Sequence, residues 1–198
     1  MSGTVVVSGV PGVGASRVCE GARRNLGEGV ALVNFGDLML EEALEHGLAD
    51  SREGLSGVPT HDRRMLQRRA GEYVARRAPE ESLLVNTHLV VRTADGFVPG
   101  LPPGVLSDVS PSALVVVDAS PETILRRRGT SERTFPDEAR PTVAFHRQLQ
   151  NAAALSCAGA TDAPIRHLPN EGEIDEAAER LASIAEGVIG SGNGRGSG

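Results

Sequence analysis

The chain has 198 residues, is 39% hydrophobic and 23% charged, and carries a net charge of −6 at pH 7. That length suits one domain with a substantial core, and the acid excess argues against a general nucleic-acid binder, whose affinity needs a basic surface. No apolar run reaches the ~18 residues that span a bilayer, and "MSGTVVVSGV" lacks the basic start of a secretory leader, so we expect a cytoplasmic protein without membrane contact.

Thr4 to Ser8 (TVVVS) is a short β-branched run of the kind buried on both faces of a sheet. A glycine loop follows, then a helix from Ser16 to about Leu26. Val30 to Phe35 reads as a second strand, and Gly36 to Gly47 has helical apolar spacing with a glycine stop. A polar loop carrying Arg52 leads into a longer helix, Thr60 to Arg77, closed by Pro79. Ser82 to Asn86 and Ala113 to Asp118 are the third and fourth buried strands, and Asp95-Gly96 between them signals a small hairpin.

Pro121 opens a helix ending in Arg126-Arg127-Arg128. A Gly/Ser/Thr/Pro segment, a long helix through about Ala158, a strand near Pro164 to Leu168 and a last amphipathic helix from Glu173 to Val188 follow. Short apolar strands alternating with helices give an α/β fold with a five-stranded parallel sheet, here of P-loop kinase type. Residues 1–189 are expected to form one domain, and the Gly/Ser-rich stretch 190–198 a disordered tail. Cys19 and Cys157 match no metal spacing and are expected to be buried, reduced thiols. His46, His61, His146 and His167 have no clustered partners that would predict a metal site.

The loop "SGVPGVGASRV" sets Gly9 and Gly14 at the spacing of the phosphate-binding pattern G-x-x-x-x-G-K-[ST], with Ser16 at its hydroxyl position. Backbone N–H groups along Gly9, Val10, Pro11 (which lacks one), Gly12, Val13, Gly14, Ala15, Ser16 and Arg17 can wrap a phosphate, helped by the dipole of the following helix. Ala15 stands where the pattern has lysine, and the chain contains no lysine at all: its 20 basic residues are all arginine. Losing one such charge costs on the order of 10²–10³ in phosphoryl-transfer rate. Arg17, two positions on, points ~200° around the helix from position 15 and is no direct substitute. Arginines arriving from elsewhere, in the run Arg126 to Arg128 or at Arg133, are better placed, and we assign Arg133, Arg127 and Arg126 as candidate catalytic cations.

"VSGVPGVG", "VNFGDLM", "NTHLVVRTADGFVPGLP" and "NAAAL...GAT", in this order and spacing, resemble the archaeal-type adenylate kinase family over the chain up to about Val188. Thr87-His88 through Pro102 is the least generic block, being similar to the family's D-T-H-x-x-x-[KR]-T-x-x-G-[YF]-x-P-G-L-P. The resemblance implies a P-loop nucleoside-monophosphate kinase that moves a phosphoryl group between Mg2+-bound ATP and AMP, reversibly giving two ADP. It implies a helical AMP-binding segment at about residues 36–80, a short lid at about 129–137, and a homotrimer. By the same resemblance Gly36, Asp37, Arg52, Gln67 and Arg92 belong to the AMP site, and Ser16 and Asn86 to the metal site; His88, after the third strand, is assigned to the AMP site as a substrate contact, with a structural histidine as the alternative. Loop arginines such as Arg52 and Arg92 suit a phosphate dianion independently, through bidentate hydrogen bonds.

The sequence departs from this pattern at points that carry charge. Besides Ala15, Asn86 stands at the family's metal-shell aspartate, Phe135 at the second lid arginine and Asn151 at the arginine of "N-R-A-A-A". Asparagine keeps an oxygen but loses the charge that attracts a divalent cation. Three readings follow: an adenylate kinase-type enzyme with reduced activity, a nucleotide-binding homologue that regulates or scaffolds a partner, and phosphotransfer to another monophosphate.

Overall fold

The computed structural model describes residues 2–131, 135 and 139–190. Arg133, most of the expected lid, and the stretch 191–198 lie outside the described residues. Five strands, β1 (Thr4–Ser8), β2 (Val30–Asn34), β3 (Ser82–Thr87), β6 (Ala113–Asp118) and β7 (Ile165–Pro169), form one sheet in the order β2-β3-β1-β6-β7. Every pairing in it is parallel. The β-branched run that predicts β1 is at the centre, and every residue of β1 and β3 is buried.

Adjacent strand residues face opposite ways, so the sheet divides the core into two halves. Val5, Val7, Leu84, Val115 and Val117 face α1 (Ala15–Leu26) and α7 (Ile174–Gly190). Val6, Leu83, Val85, Leu114 and Val116 face α2 (Phe35–Glu45), α3 (Thr60–Arg77) and α4 (Pro103–Val109). The helices α5 (Pro121–Gly129) and α6 (Arg140–Thr161) close the β6 side. No helix among the described residues is long and apolar enough to cross a membrane.

The small hairpin pairs β4 (Val90–Thr93) with β5 (Gly96–Pro99). Thr93 opposes Gly96, so the turn is Ala94-Asp95, one residue earlier than the Asp95-Gly96 signal implies. Helix α4 is not anticipated by the sequence reading, because Pro102-Pro103-Gly104 looks like a loop. Proline is nonetheless suited to the first helical position, where its missing N–H costs nothing. A second correction concerns the thiols. Cys19 is fully buried, and burial, with Glu20 beside it, raises its pKa well above the ordinary thiol value. Cys157 is only partly covered, on the margin of the α4 side of the core, because α6 there turns half its face to solvent.

This topology puts the carboxyl ends of β1, β3 and β2 side by side. After β1 the chain crosses to β2, and after β3 it reaches β6 on the other side of β1. A parallel sheet that reverses direction in this way leaves a crevice at the carboxyl ends of its central strands. Gly9, His88 and Phe35 follow those strand ends directly.

Candidate active site

The glycine loop leaves β1 and returns into α1 with Gly12 at φ +89° and Gly14 at φ +94°, left-handed values that side chains other than glycine rarely adopt. The turn is closed by Val13 N–H donating to Val10 O at 3.1 Å, and α1 starts with Val18 N–H on Gly14 O at 3.0 Å. A Cβ on Gly9 would stand 2.7 Å from Val117 O, so the loop lies against β6 with no room for a side chain. The conformation is that of an anion cradle at a helix N-terminus. Ala15 is buried in the core beneath it, while Ser16 and Arg17 are exposed.

The three arginines at the end of α5 diverge, as consecutive helical residues must. Arg126 is exposed and does not line the crevice. Arg127 donates from Nη1 to Val13 O at 3.0 Å and Asn170 O at 2.7 Å, and from Nη2 to Gly172 O at 3.0 Å. Burial first, then the charge of Arg126, lowers its pKa, though it stays a cation. This side chain buttresses the back of the loop, together with Asn170 Nδ2 on Val13 O at 2.8 Å. Arg128 alone of the three reaches the front. It donates from Nε and Nη2 to Pro11 O at 2.9 and 2.7 Å, and lies 5.4 Å from the centroid of the Phe135 ring.

Ser16 meets Asn86 across the crevice: Asn86 Nδ2 donates to Ser16 Oγ at 3.0 Å and to Asn34 Oδ1 at 2.9 Å. The donor set is one hydroxyl and two carboxamides, and among the described residues no group of three or more His, Cys, Asp or Glu side chains is placed to hold a metal ion. Neutral oxygens of this kind fit a magnesium ion that arrives on nucleotide phosphates, which itself brings most of its ligands. They do not fit an ion held by protein alone.

Pro11, Ser16, Asn86 and Arg128 line one end of a cavity of about 550 Å³, the size of a small-molecule site. The other end runs between α2, α3 and the hairpin, where Gly36, Arg52, Arg63, Gln67, His88 and Arg92 line it. Arg52 donates from Nε to Asp37 Oδ1 at 2.6 Å, and Nη2 pairs with the same carboxylate, so Asp37 aims the arginine instead of lining the cavity itself. Gln67 Nε2 donates to Pro99 O and Gly100 O, both at 3.0 Å, which ties α3 to the end of the hairpin. His88 Nδ1–H donates to Gly9 O at 2.6 Å, joining the β3 end to the glycine loop.

The chain is 36% identical over 183 residues to adenylate kinase of Methanopyrus kandleri, covering 91% of this chain and 95% of that protein. The chain belongs to the adenylate kinase family. The adenylate kinase of Methanothermobacter thermautotrophicus is 34% identical, covering 92% and 98%, and that of Pyrococcus furiosus 33%, covering 92% and 94%. Residues 8–142 also match the AAA domain family model. Among solved structures, a gluconokinase from Sinorhizobium meliloti 1021 superposes with TM-score 0.61 at 15% identity, covering 98% of each chain. Shikimate kinase from Bacteroides thetaiotaomicron gives 0.55 at 15%, covering 93% and 98%. These last two establish the P-loop kinase fold.

Within this adenylate kinase family fold, the residues that carry the sequence resemblance converge on one cavity: Ser16, Gly36, Arg52, Gln67, Asn86, His88 and Arg92. Arg63 belongs there too and is missing from the sequence reading. It is 8% exposed, donating from Nη1 to Val58 O at 3.2 Å and from Nη2 to Thr60 Oγ1 at 3.1 Å. The signal that finds it is helical spacing, since positions 63 and 67 share one face of α3. His146, on α6, also lines the cavity, donating from Nε2 to Val90 O at 3.1 Å, with the Phe97 ring tilted 57° to its own at a centroid distance of 4.8 Å. Nothing local in the sequence of α6 points to it.

Proposed function

We propose that this chain is a nucleoside-monophosphate kinase of adenylate kinase type, transferring the γ-phosphoryl of ATP to AMP and running in reverse from two ADP. The observation that carries this reading is one cavity with the glycine cradle at one end and Arg52, Arg63 and Arg92 at the other. A cradle alone serves any P-loop protein. A cluster of arginines across the crevice from it provides for a second phosphate, with bidentate geometry suited to a monophosphate dianion. Phosphoryl transfer asks for little covalent chemistry from the protein, only that two phosphates be aligned, neutralised and kept from water.

The base fits the same account. With Nε2 committed to Pro99 O and Gly100 O, Gln67 turns Oε1, an acceptor, away from the hairpin. An acceptor suits the exocyclic amino group of adenine and not the carbonyl oxygen that guanine has there. Magnesium on the ATP phosphates would neutralise charge on the bridging and transferred oxygens, with Ser16 Oγ and the Asn86 carboxamide as its protein-side neighbours. A homotrimer and a cytoplasmic setting accompany this reading by family, and sedimentation equilibrium tests the first.

The deciding experiment is a coupled assay for ADP formation from ATP, AMP and Mg2+, repeated with GMP, CMP and UMP. Turnover with AMP exceeding that with GMP at least tenfold is the expected result. No turnover above the enzyme-free control, with ATP still raising the melting temperature, replaces this reading with that of a nucleotide-binding homologue without transfer.

A further inference from the structure

We propose that Arg128, delivered from the last turn of α5, is the phosphate-facing cation that the glycine loop itself lacks. The proposal rests on the kinase reading above for its activity readout, but it is equally a statement about nucleotide binding. Position 15 holds a methyl group sunk in the core, so the loop presents no side-chain charge of its own there. The chain has no lysine anywhere to replace it, so the substitute must be an arginine.

Among the described residues, which leave out Arg133, geometry sorts the candidates. Arg126 and Arg17 are exposed and outside the cavity lining, and Arg127 grips three carbonyls behind the loop. Arg128 lines the cavity on the side of Ser16 and Asn86 and is 9% exposed. Its stem lies directly over the loop crest: a Cβ on Gly12 would be 2.7 Å from Arg128 Cγ and 2.9 Å from Nε. The missing Cβ is therefore filled by the arginine.

Two donors of the guanidinium, Nε and Nη2, hold Pro11 O and fix the charge beside the loop. The Phe135 ring, standing at a position where the family resemblance places an arginine, lies 5.4 Å from the guanidinium carbon. It fixes the plane of the cation without competing for anions. A charge held over the crest of an anion cradle, with most of its surface shielded from water, acts on bound phosphates far more strongly than a solvated one.

The test compares the parent chain with R128M, R128K, R17M and the double variant A15K/R128M. Binding of ATP, ADP and adenosine is measured by calorimetry, ADP formation by the coupled assay, and folding by melting temperature. The expected result is a loss of 10²–10³ in kcat/KM for R128M. ATP and ADP binding should weaken at least tenfold while adenosine binding stays within twofold. R128K should recover part of the loss, and A15K in the R128M background should regain at least tenfold, since a lysine from the loop would supply the same charge.

A purely structural arginine would fail this pattern, because lysine at 15 cannot restore a bond to Pro11 O. The proposal is overturned if R128M leaves ATP affinity and turnover unchanged. It is overturned equally if adenosine weakens as much as ATP without rescue by either lysine, or if R17M produces the loss that R128M does not. A parent that binds ATP yet makes no ADP refutes the kinase reading alone, and the binding series still judges Arg128.

Discussion

Asn86 donates both of its described hydrogen bonds from one amide nitrogen, toward Ser16 and Asn34, in the place where a metal-binding kinase gains from a negative charge. A carboxylate there would add Coulombic attraction for Mg2+. Asn86→Asp should therefore lower the Mg2+ concentration needed for half-maximal ADP formation by about tenfold, read from a metal titration at saturating ATP. At the other end of the cavity Arg92 is an exposed arginine whose place on β4 is set by pairing with Phe97. Arg92→Ala should raise the KM for AMP roughly 10–100-fold, the worth of a charge-assisted bond, with the KM for ATP little changed. Both positions are named by sequence motifs. What the motif could not supply is that Asp37, also in it, acts by holding Arg52, because the two are joined only once α2 and the loop before α3 are folded together.

Between elements, the tightest packing on one face of the sheet is α1 on α7. A Cβ on Gly21 would stand 2.6 Å from the Cβ of Ala178, and neither atom has a rotamer to retreat into. Gly21→Ala should destabilise the protein by about 1–3 kcal/mol in urea unfolding, by forcing the helices apart. A second junction lies at the end of β6. Asp118 accepts from Arg147 Nε at 2.7 Å and Nη2 at 2.6 Å, joining β6 to α6, with His167 of β7 at 3.6 Å. Burial by itself would push the Asp118 carboxyl up. The hydrogen bonds and charge of Arg147, with the contribution of His167, outweigh it and hold the group below its ordinary value. The folded pKa thus lies below the unfolded one, so the stabilisation is complete above about pH 4 and is lost as pH falls through the folded value. Asp118→Asn should cost roughly 1–3 kcal/mol at pH 7 and flatten the acid side of the stability profile. Helix boundaries such as Thr60–Arg77 were readable from apolar spacing and terminators, whereas the Asp118 junction joins residues 29 and 49 positions apart that carry no shared local signal.

For the whole molecule, ATP on the glycine loop and AMP between α3 and the hairpin would together couple elements from both halves of the core. ATP at about 100 times its Kd should stabilise the folded chain by about 2.7 kcal/mol and raise the melting temperature by roughly 5–10 °C. A rise confined to ATP and ADP, absent with adenosine, would place that coupling on the phosphates. By itself the sequence determined the strand and helix pattern apart from α4, the parallel sheet, the glycine loop and the family, since each rests on local periodicity or on residues adjacent in the chain. It also exposed the missing lysine. The tertiary structure decided which side chains meet: that Arg63 and His146 join the cavity, that Arg127 braces the loop from behind, and that Arg128 crosses its crest. Three consecutive arginines look alike in sequence, but the ~100° step of the helix sends each to a different environment, and only the packing of α5 against the loop selects the one facing the site.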